Sequence, residues 1–259
     1  AVLLPGYLCD TVPAAFAGRC RMAYYDLGPD FTVRPERVER LLEEQPARVF
    51  YLIDYFGFLQ PRLAEIAEVC RRRGVLLWED HAHSALSRFR RDLGDARIFS
   101  FRKVLPVPDG GGLALREGRA EPPSGGAARA DLMSLAILAK RKLCNASVRF
   151  RDAIGEAIQG DIDALNAGQR ELTPRPMSHM SRRIVRRADT DTLFAVRRAQ
   201  FARWQELTAG GPLRPVFADL PEDACPLGFP VWLANPDEIV ADLERRGAFL
   251  KIHWRSMPS

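Results

Sequence analysis

From residue 1 to about residue 118 the chain alternates short apolar runs with amphipathic stretches, and this alternation restricts the fold more than any other feature. The runs are Val2–Leu4, Met22–Asp26, Val49–Phe56, Val75–Asp80, Ile98–Phe101 and Leu113–Leu115. Between them Pro35–Glu44 and Pro61–Arg73 read as helices; in the second, Leu63, Ile66, Ala67 and Cys70 fall on one face. Strands separated by helices of this length pair in parallel through right-handed crossovers. The expected class is therefore α/β, a mainly parallel sheet with helices on both faces. In such sheets ligands bind at the carboxyl ends of the strands, where Asp54, Asp80, His83 and Lys103 fall.

A Pro/Gly/Ser-rich linker, Glu121–Gly126, breaks the pattern. Beyond it Asp131–Gly168 reads as one or two long helices, Leu172–Ser181 as an extended passage, and Thr190–Ala209 as a helix. Phe229–Leu233, a helix over Pro236–Arg246 and a final strand over Phe249–His253 complete a small α+β unit. This divides the chain into a large ligand-binding region at 1–120, a linker with long helices at 121–190, and a small C-terminal α+β domain at 191–259.

With 259 residues and 47% hydrophobic composition the chain can bury a large core. Lys and Arg outnumber Asp and Glu by five, and the excess gathers only in knots such as Arg71-Arg72-Arg73, Arg182-Arg183 and Arg186-Arg187. No aromatic residues interleave with these knots, so they read as solvated helix faces and not as a nucleic-acid surface. The five cysteines form no C-x-x-C pair and read as reduced thiols of a cytoplasmic protein. No apolar run approaches a membrane span and no signal-peptide order is present, so the expectation is a soluble protein without membrane partners. The opening Ala1-Val2-Leu3-Leu4-Pro5 is an apolar strand without a polar lead-in, and a preceding segment is expected.

Two strand ends carry the chemistry. Ser100-Phe101-Arg102-Lys103 is followed by Gly110-Gly111-Gly112, and Trp78-Glu79-Asp80-His81-Ala82-His83 closes the run upstream. Pyridoxal phosphate needs an amine to hold its aldehyde as a Schiff base, a carboxylate to keep its pyridine nitrogen protonated, a donor for its phenolic oxygen and an anchor for its phosphate. Lys103, Asp80, His83 and Ser100 supply one group for each demand. Lys103 is one of only four lysines in an arginine-rich chain and the only one in the first half. Its position after an apolar run suggests a buried amine of lowered basicity.

Other readings of the same residues stand beside this one. A lysine after a strand can simply be solvated, and Asp80 can cap the structure that follows it. On a strand, His81 and His83 would face the same way, so that with Asp80 they could ligate zinc in a metal-dependent hydrolase; His-x-His alone is a weak motif, and His179 and His253 stand far off, so no metal is expected. The triple glycine is not G-x-G-x-x-G and precedes a strand, which excludes a dinucleotide fingerprint; it suits a close backbone approach beside the lysine loop.

In order, Leu4-Pro5-Gly6-Tyr7, Tyr24-Tyr25-Asp26, Asp54-Tyr55-Phe56-Gly57, Glu79-Asp80-His81-Ala82-His83, the Ser-Phe-lysine segment and the glycines before a strand resemble the fold-type I pyridoxal phosphate enzymes. Among these the chain looks like the DegT/DnrJ/StrS sugar aminotransferase family, well over residues 1–118 and in outline beyond. The resemblance implies a sheet of the seven-stranded type and makes residues 1–120 part of a large cofactor-binding domain. It assigns Lys103 as the Schiff-base lysine, Asp80 as the pyridine-nitrogen partner, Ser100 as a phosphate ligand, His83 at a position more often glutamine, and Tyr7 as the aromatic that stacks on the ring. It also implies a cytoplasmic homodimer that moves an amino group from an amino acid donor to a keto acceptor, a keto sugar attached to a nucleotide. Arg175, Arg182 and Arg183 are candidates for a substrate phosphate or carboxylate. Two departures are visible: the Ser100-to-Lys103 interval is the shorter one seen in many fold-type I aminotransferases, whereas sugar aminotransferases usually have a longer one, and the glycine-threonine turn that cradles the phosphate would lie before Ala1. A noncatalytic protein that kept the fold for binding or regulation is the alternative these departures leave open.

Overall fold

The computed structural model describes residues 1–89, 93–117, 176–248, 250 and 252–253. Six strands form the main sheet: β1 (Val2–Pro5), β2 (Met22–Tyr25), β3 (Val49–Ile53), β4 (Leu76–Asp80), β5 (Ala96–Ser100) and β6 (Gly111–Leu115), in the spatial order β2-β1-β3-β4-β5-β6. The first five run parallel and β6 pairs antiparallel with β5. The connection over residues 101–110 explains the reversal, because it is too short for a crossover and turns back through Gly110 at φ 111°.

Side-chain alternation divides the core in two. Leu3, Phe50, Leu52 and Leu77 point to one face, where α2 (Pro35–Glu44) and α3 (Leu63–Arg72) cover them with Val38, Leu41, Leu42, Ile66, Val69 and Cys70. Each fully buried aliphatic side chain of this kind contributes about 1.5–3 kcal/mol. Val2, Leu4, Tyr51 and Ile53 point to the other face, against Phe31, Tyr55, Phe56, Phe58 and, from the far end of the chain, Phe201 and Ala224. α1 (Thr11–Phe16) adds Val12 and Phe16 to this second layer. The Arg71-Arg72-Arg73 knot lies on exposed helix surface and pairs with Glu68, Glu39 and Glu43 across α2 and α3.

The later elements are α4 (Phe101–Val104), α5 (His179–Arg187), α6 (Thr190–Thr208), a two-stranded ribbon of β7 (Arg214–Pro215) and β8 (Val231–Trp232), and α7 (Pro236–Arg245). Phe217 stacks on Phe58 at 3.8 Å between ring centroids, and Trp232 stacks on Phe31 at 5.7 Å. Gly57 makes this docking possible. Its φ is 93°, and a Cβ there would lie 1.9 Å from the Cys225 carbonyl oxygen.

Several boundaries differ from those the sequence suggests. β3 stops at Ile53, because Phe56 takes a φ of 53° within a single turn of tight helix over Tyr55–Gly57. Phe101 leaves β5 and opens α4, so Lys103 stands on a one-turn helix. The extended passage expected to Ser181 ends at Ser178, whose hydroxyl accepts from the Ser181 amide at 3.2 Å and starts α5. Leu250, Ile252 and His253 are not in a strand. The linker at 121–126, the helices expected over 131–168, and Cys144, Arg175 and Trp254 lie outside the described residues.

Candidate active site

Asp80 ends β4, pairs in register with Ile53 and Ile98, and is buried. Its Oδ1 accepts from the Ala82 amide at 2.8 Å, so the capping role is real: the carboxylate holds the turn that follows. Its Oδ2 accepts from the Tyr51 hydroxyl at 2.9 Å. Tyr51 stands two residues before Ile53 on the same face of β3, which brings its hydroxyl to the strand end opposite. Burial raises the Asp80 pKa above the ordinary carboxylate range, opposed by the Ala82 amide, the Tyr51 hydroxyl and the charge of Lys103. Burial, and then the neighbouring Asp80 charge, push the Tyr51 phenol well up.

Lys103 Nζ lies 2.8 Å from His83 Nε2. The lysine is exposed and not buried as expected, since α4 turns Val104 inward and carries Lys103 on its open side. His83 is fully enclosed, and its Nδ1 accepts from the Phe56 amide at 3.3 Å. A neutral ring that accepts at Nδ1 carries its proton on Nε2 and can donate it to Lys103 only in the amine's deprotonated, reacting form, since the ammonium form has no lone pair to accept it. The tautomer follows from the hydrogen bonds.

Tyr7 lies at the edge of the same group. Its hydroxyl donates to the His253 carbonyl at 2.8 Å, and the His253 ring stands 5.1 Å from Phe56 and 5.4 Å from His83. The Tyr7 ring packs on Phe31 at 5.1 Å. Ser100 ends β5 opposite Gly111, and among the described residues its hydroxyl makes no hydrogen bond. The structure thus gathers Asp80, His83, Lys103 and Tyr7 through direct or shared neighbours, and sets Ser100 on the same strand end without a direct link.

His81 and His83 do not face the same way, because the strand ends at Asp80 and both lie in the turn beyond it. His83 turns to Phe56 and Lys103. His81 turns to Asp54, with Nδ1 at 2.8 Å from Oδ2, and its Nε2 lies 3.5 Å from Glu79 Oε2. Among the described residues no group of three His, Cys, Asp or Glu side chains could hold a metal ion. Burial raises the Glu79 pKa to about 7, with His81 opposing the shift. Sequence reasoning missed Tyr51 and the Asp54–His81 pair. The register Tyr51↔Trp78 and Ile53↔Asp80 would have pointed to the first; no local signal marks the second.

The profile of the DegT/DnrJ/EryC1/StrS aminotransferase family matches residues 11–121. Among solved structures, a DegT/DnrJ/EryC1/StrS aminotransferase from Brucella abortus is similar over 99% of this chain and 65% of its own, at 16% identity and a TM-score of 0.64. DesI, solved in the presence of its TDP-sugar product, is similar over 99% of this chain and 62% of its own, at 17% identity and a TM-score of 0.62. The synthase of 3-amino-5-hydroxybenzoic acid is similar over 86% of this chain and 54% of its own, at 17% identity and a TM-score of 0.53. This chain therefore spans under two thirds of the length of these structural neighbours. No curated protein matches it. The fold is that of the type I pyridoxal phosphate aminotransferases, and the segment that the DegT/DnrJ/EryC1/StrS profile matches is the one that carries Asp80, His83 and Lys103.

Proposed function

We propose that the protein is a pyridoxal phosphate-dependent aminotransferase that transfers an amino group from an amino acid to a keto sugar carried on a nucleotide, acting as a cytoplasmic homodimer. The observation that carries this reading is the 2.8 Å contact between Lys103 Nζ and His83 Nε2 beside the buried carboxylate of Asp80. The donor set suits the cofactor. Asp80 is buried and hydrogen-bonded at both oxygens, yet each oxygen retains a lone pair for a ring N–H, and the amine stands where it can be reached from solution.

Pyridoxal phosphate, when bound, supplies an aldehyde for covalent attachment and a protonated ring that draws electrons from the substrate. Lys103 would hold the aldehyde and then move the proton to and from the substrate's Cα. Asp80 would keep a proton on the ring nitrogen, with Tyr51 orienting the carboxylate. His83 would donate through Nε2 to the phenolic oxygen. Ser100 would bind the phosphate, and Tyr7 would cover the ring. Arg182 and Arg183 on α5 are the described candidates for the substrate's anionic group.

The test uses the full-length protein incubated with pyridoxal phosphate. The expected result is a visible absorbance band and transfer from glutamate to a nucleotide-linked keto sugar. Lys103→Ala should lose the band and lower transfer by at least about 10³-fold, the upper range for removal of a proton-transfer group. A full-length protein that stays colourless overturns the proposal and favours a noncatalytic binding role.

A further inference from the structure

Behind the proposed site lies a polar cluster that the chemistry above does not use. Asp54 Oδ2 accepts from His81 Nδ1 at 2.8 Å, and the Ser84 hydroxyl stands 3.3 Å from the same nitrogen. Asp54 Oδ1 accepts from the Gln60 amide at 2.9 Å. All four residues are buried, and the rings of Phe89 and Phe99 enclose His81 at 4.3 and 5.2 Å. His81 Nε2 and Glu79 Oε1 are buried without hydrogen-bond partners. Burying such a pair costs desolvation that hydrophobic residues would avoid, so a geometric role is the natural place to look for its use.

The geometry is a closed ring of contacts. Asp54 directly follows β3 and His81 directly follows β4, so their bond ties the two strand ends together. Two residues beyond Asp54 is Phe56, whose amide donates to His83 Nδ1 at 3.3 Å. Two residues beyond His81 is His83 itself. Both arms are only two residues long, and each residue spans at most about 3.5 Å, so a shift at the Asp54–His81 bond has little slack in which to dissipate. The Phe56 arm is fixed from outside as well, where the Leu227 amide donates to the Phe56 carbonyl at 2.7 Å.

We propose that Asp54 and His81 are positioning residues: by fixing the two arms they set the tautomer and aim of His83 and so present its Nε2–H to Lys103. The inference rests on the reading of Lys103 as the reacting amine. Neither residue touches Lys103, and both act through His83.

The experiment uses the full-length protein and two readouts. Long-range ¹H–¹⁵N NMR correlation reports which nitrogen of His83 carries the proton, and peptide mass spectrometry reports the rate of Lys103 reductive methylation relative to wild type. His81→Leu should give mixed His83 tautomers and lower the Lys103 rate about tenfold, a loss in keeping with small misplacement of a reacting group. His81→Asn, whose amide nitrogen overlays Nδ1, should restore both; His81→Gln, which overlays Nε2, should not. Should His81→Leu fail to fold, Asp54→Asn keeps the shape and an acceptor while removing the charge, and should move both readouts in the same direction. A wild-type His83 protonated at Nδ1, or a folded His81→Leu or Asp54→Asn variant with both readouts unchanged, overturns the proposal. Cofactor uptake by the wild type is scored separately. A colourless protein with the expected His83 tautomer would sink the aminotransferase reading and leave the positioning role intact.

Discussion

The two faces of the sheet are built from different materials. The face under α2 and α3 is sealed mainly by aliphatic side chains around Leu3, Leu52 and Leu77, with the stacked rings of Tyr25 and Phe50 among them and the buried carboxyls of Asp95 and Glu79 at its margins. The opposite face is lined by rings, with Phe31, Tyr55, Phe56 and Phe58 meeting Phe201 and Phe217 from the distant C-terminal part, and it is the face on which Tyr51 reaches Asp80. The comparison shows what each face has to do. The mainly aliphatic layer excludes water and uses its one tyrosine on a backbone carbonyl, that of Tyr51, whereas the ring-rich layer fills space beside the strand ends and through Tyr51 carries a hydrogen-bonding edge to a side chain there.

The strongest way to break the comparison is a pair of glycine substitutions. Gly57→Ala places a Cβ against the Cys225 carbonyl at a φ of 93°, so the ring-lined face should lose its C-terminal cover and the protein about 4 kcal/mol or more. Gly74→Ala, beyond α3 on the aliphatic side, meets nothing within 4 Å at a φ of 65° and should cost only about 1–2 kcal/mol. Urea denaturation of both variants measures the difference.

Glu79 sharpens the contrast through pH. Its folded pKa is raised from 4.5 to about 7, so the neutral form is favoured by folding. That contribution is fully present below about pH 4.5 and is lost as the pH rises through about 7. Glu79→Gln should therefore match the wild type near pH 4 and exceed it by up to about 3 kcal/mol at pH 8, as thermal melts across this range would show. On the ring-lined face, Tyr51→Phe removes the donor to Asp80 and should cost about 2 kcal/mol. The Asp80 carboxyl, already raised, should move up further in an NMR titration. The smallest effect belongs to the exposed pairs over α2 and α3. Arg72→Ala should change stability by less than about 1 kcal/mol, and less still at high salt.

Sequence patterning went furthest where the aliphatic face is concerned. Pro35–Glu44 is a helix over the expected span, and all six apolar runs became strands of one mainly parallel sheet. The strand-end motifs also come together at one edge, because a parallel sheet delivers every carboxyl end to the same edge. Periodicity failed at Phe56 and at Lys103. Phe56 continues an apolar run but adopts a positive φ that the docked residues 225–227 hold in place. Lys103 follows a strand but rides a short helix whose buried side is Val104.

By itself, then, the sequence determined the α/β class, the strand assignments on both sides of the sheet and the identity of the groups at its carboxyl edge, since all of these follow from local periodicity and the rules of parallel connection. The tertiary structure alone decided that His83 faces Lys103 while His81 turns to Asp54, and that Tyr51 serves Asp80. Those pairings depend on where one chain segment ends relative to another 20 to 30 residues away. Distances of that kind are set by register and packing, and no pattern along a single segment records them.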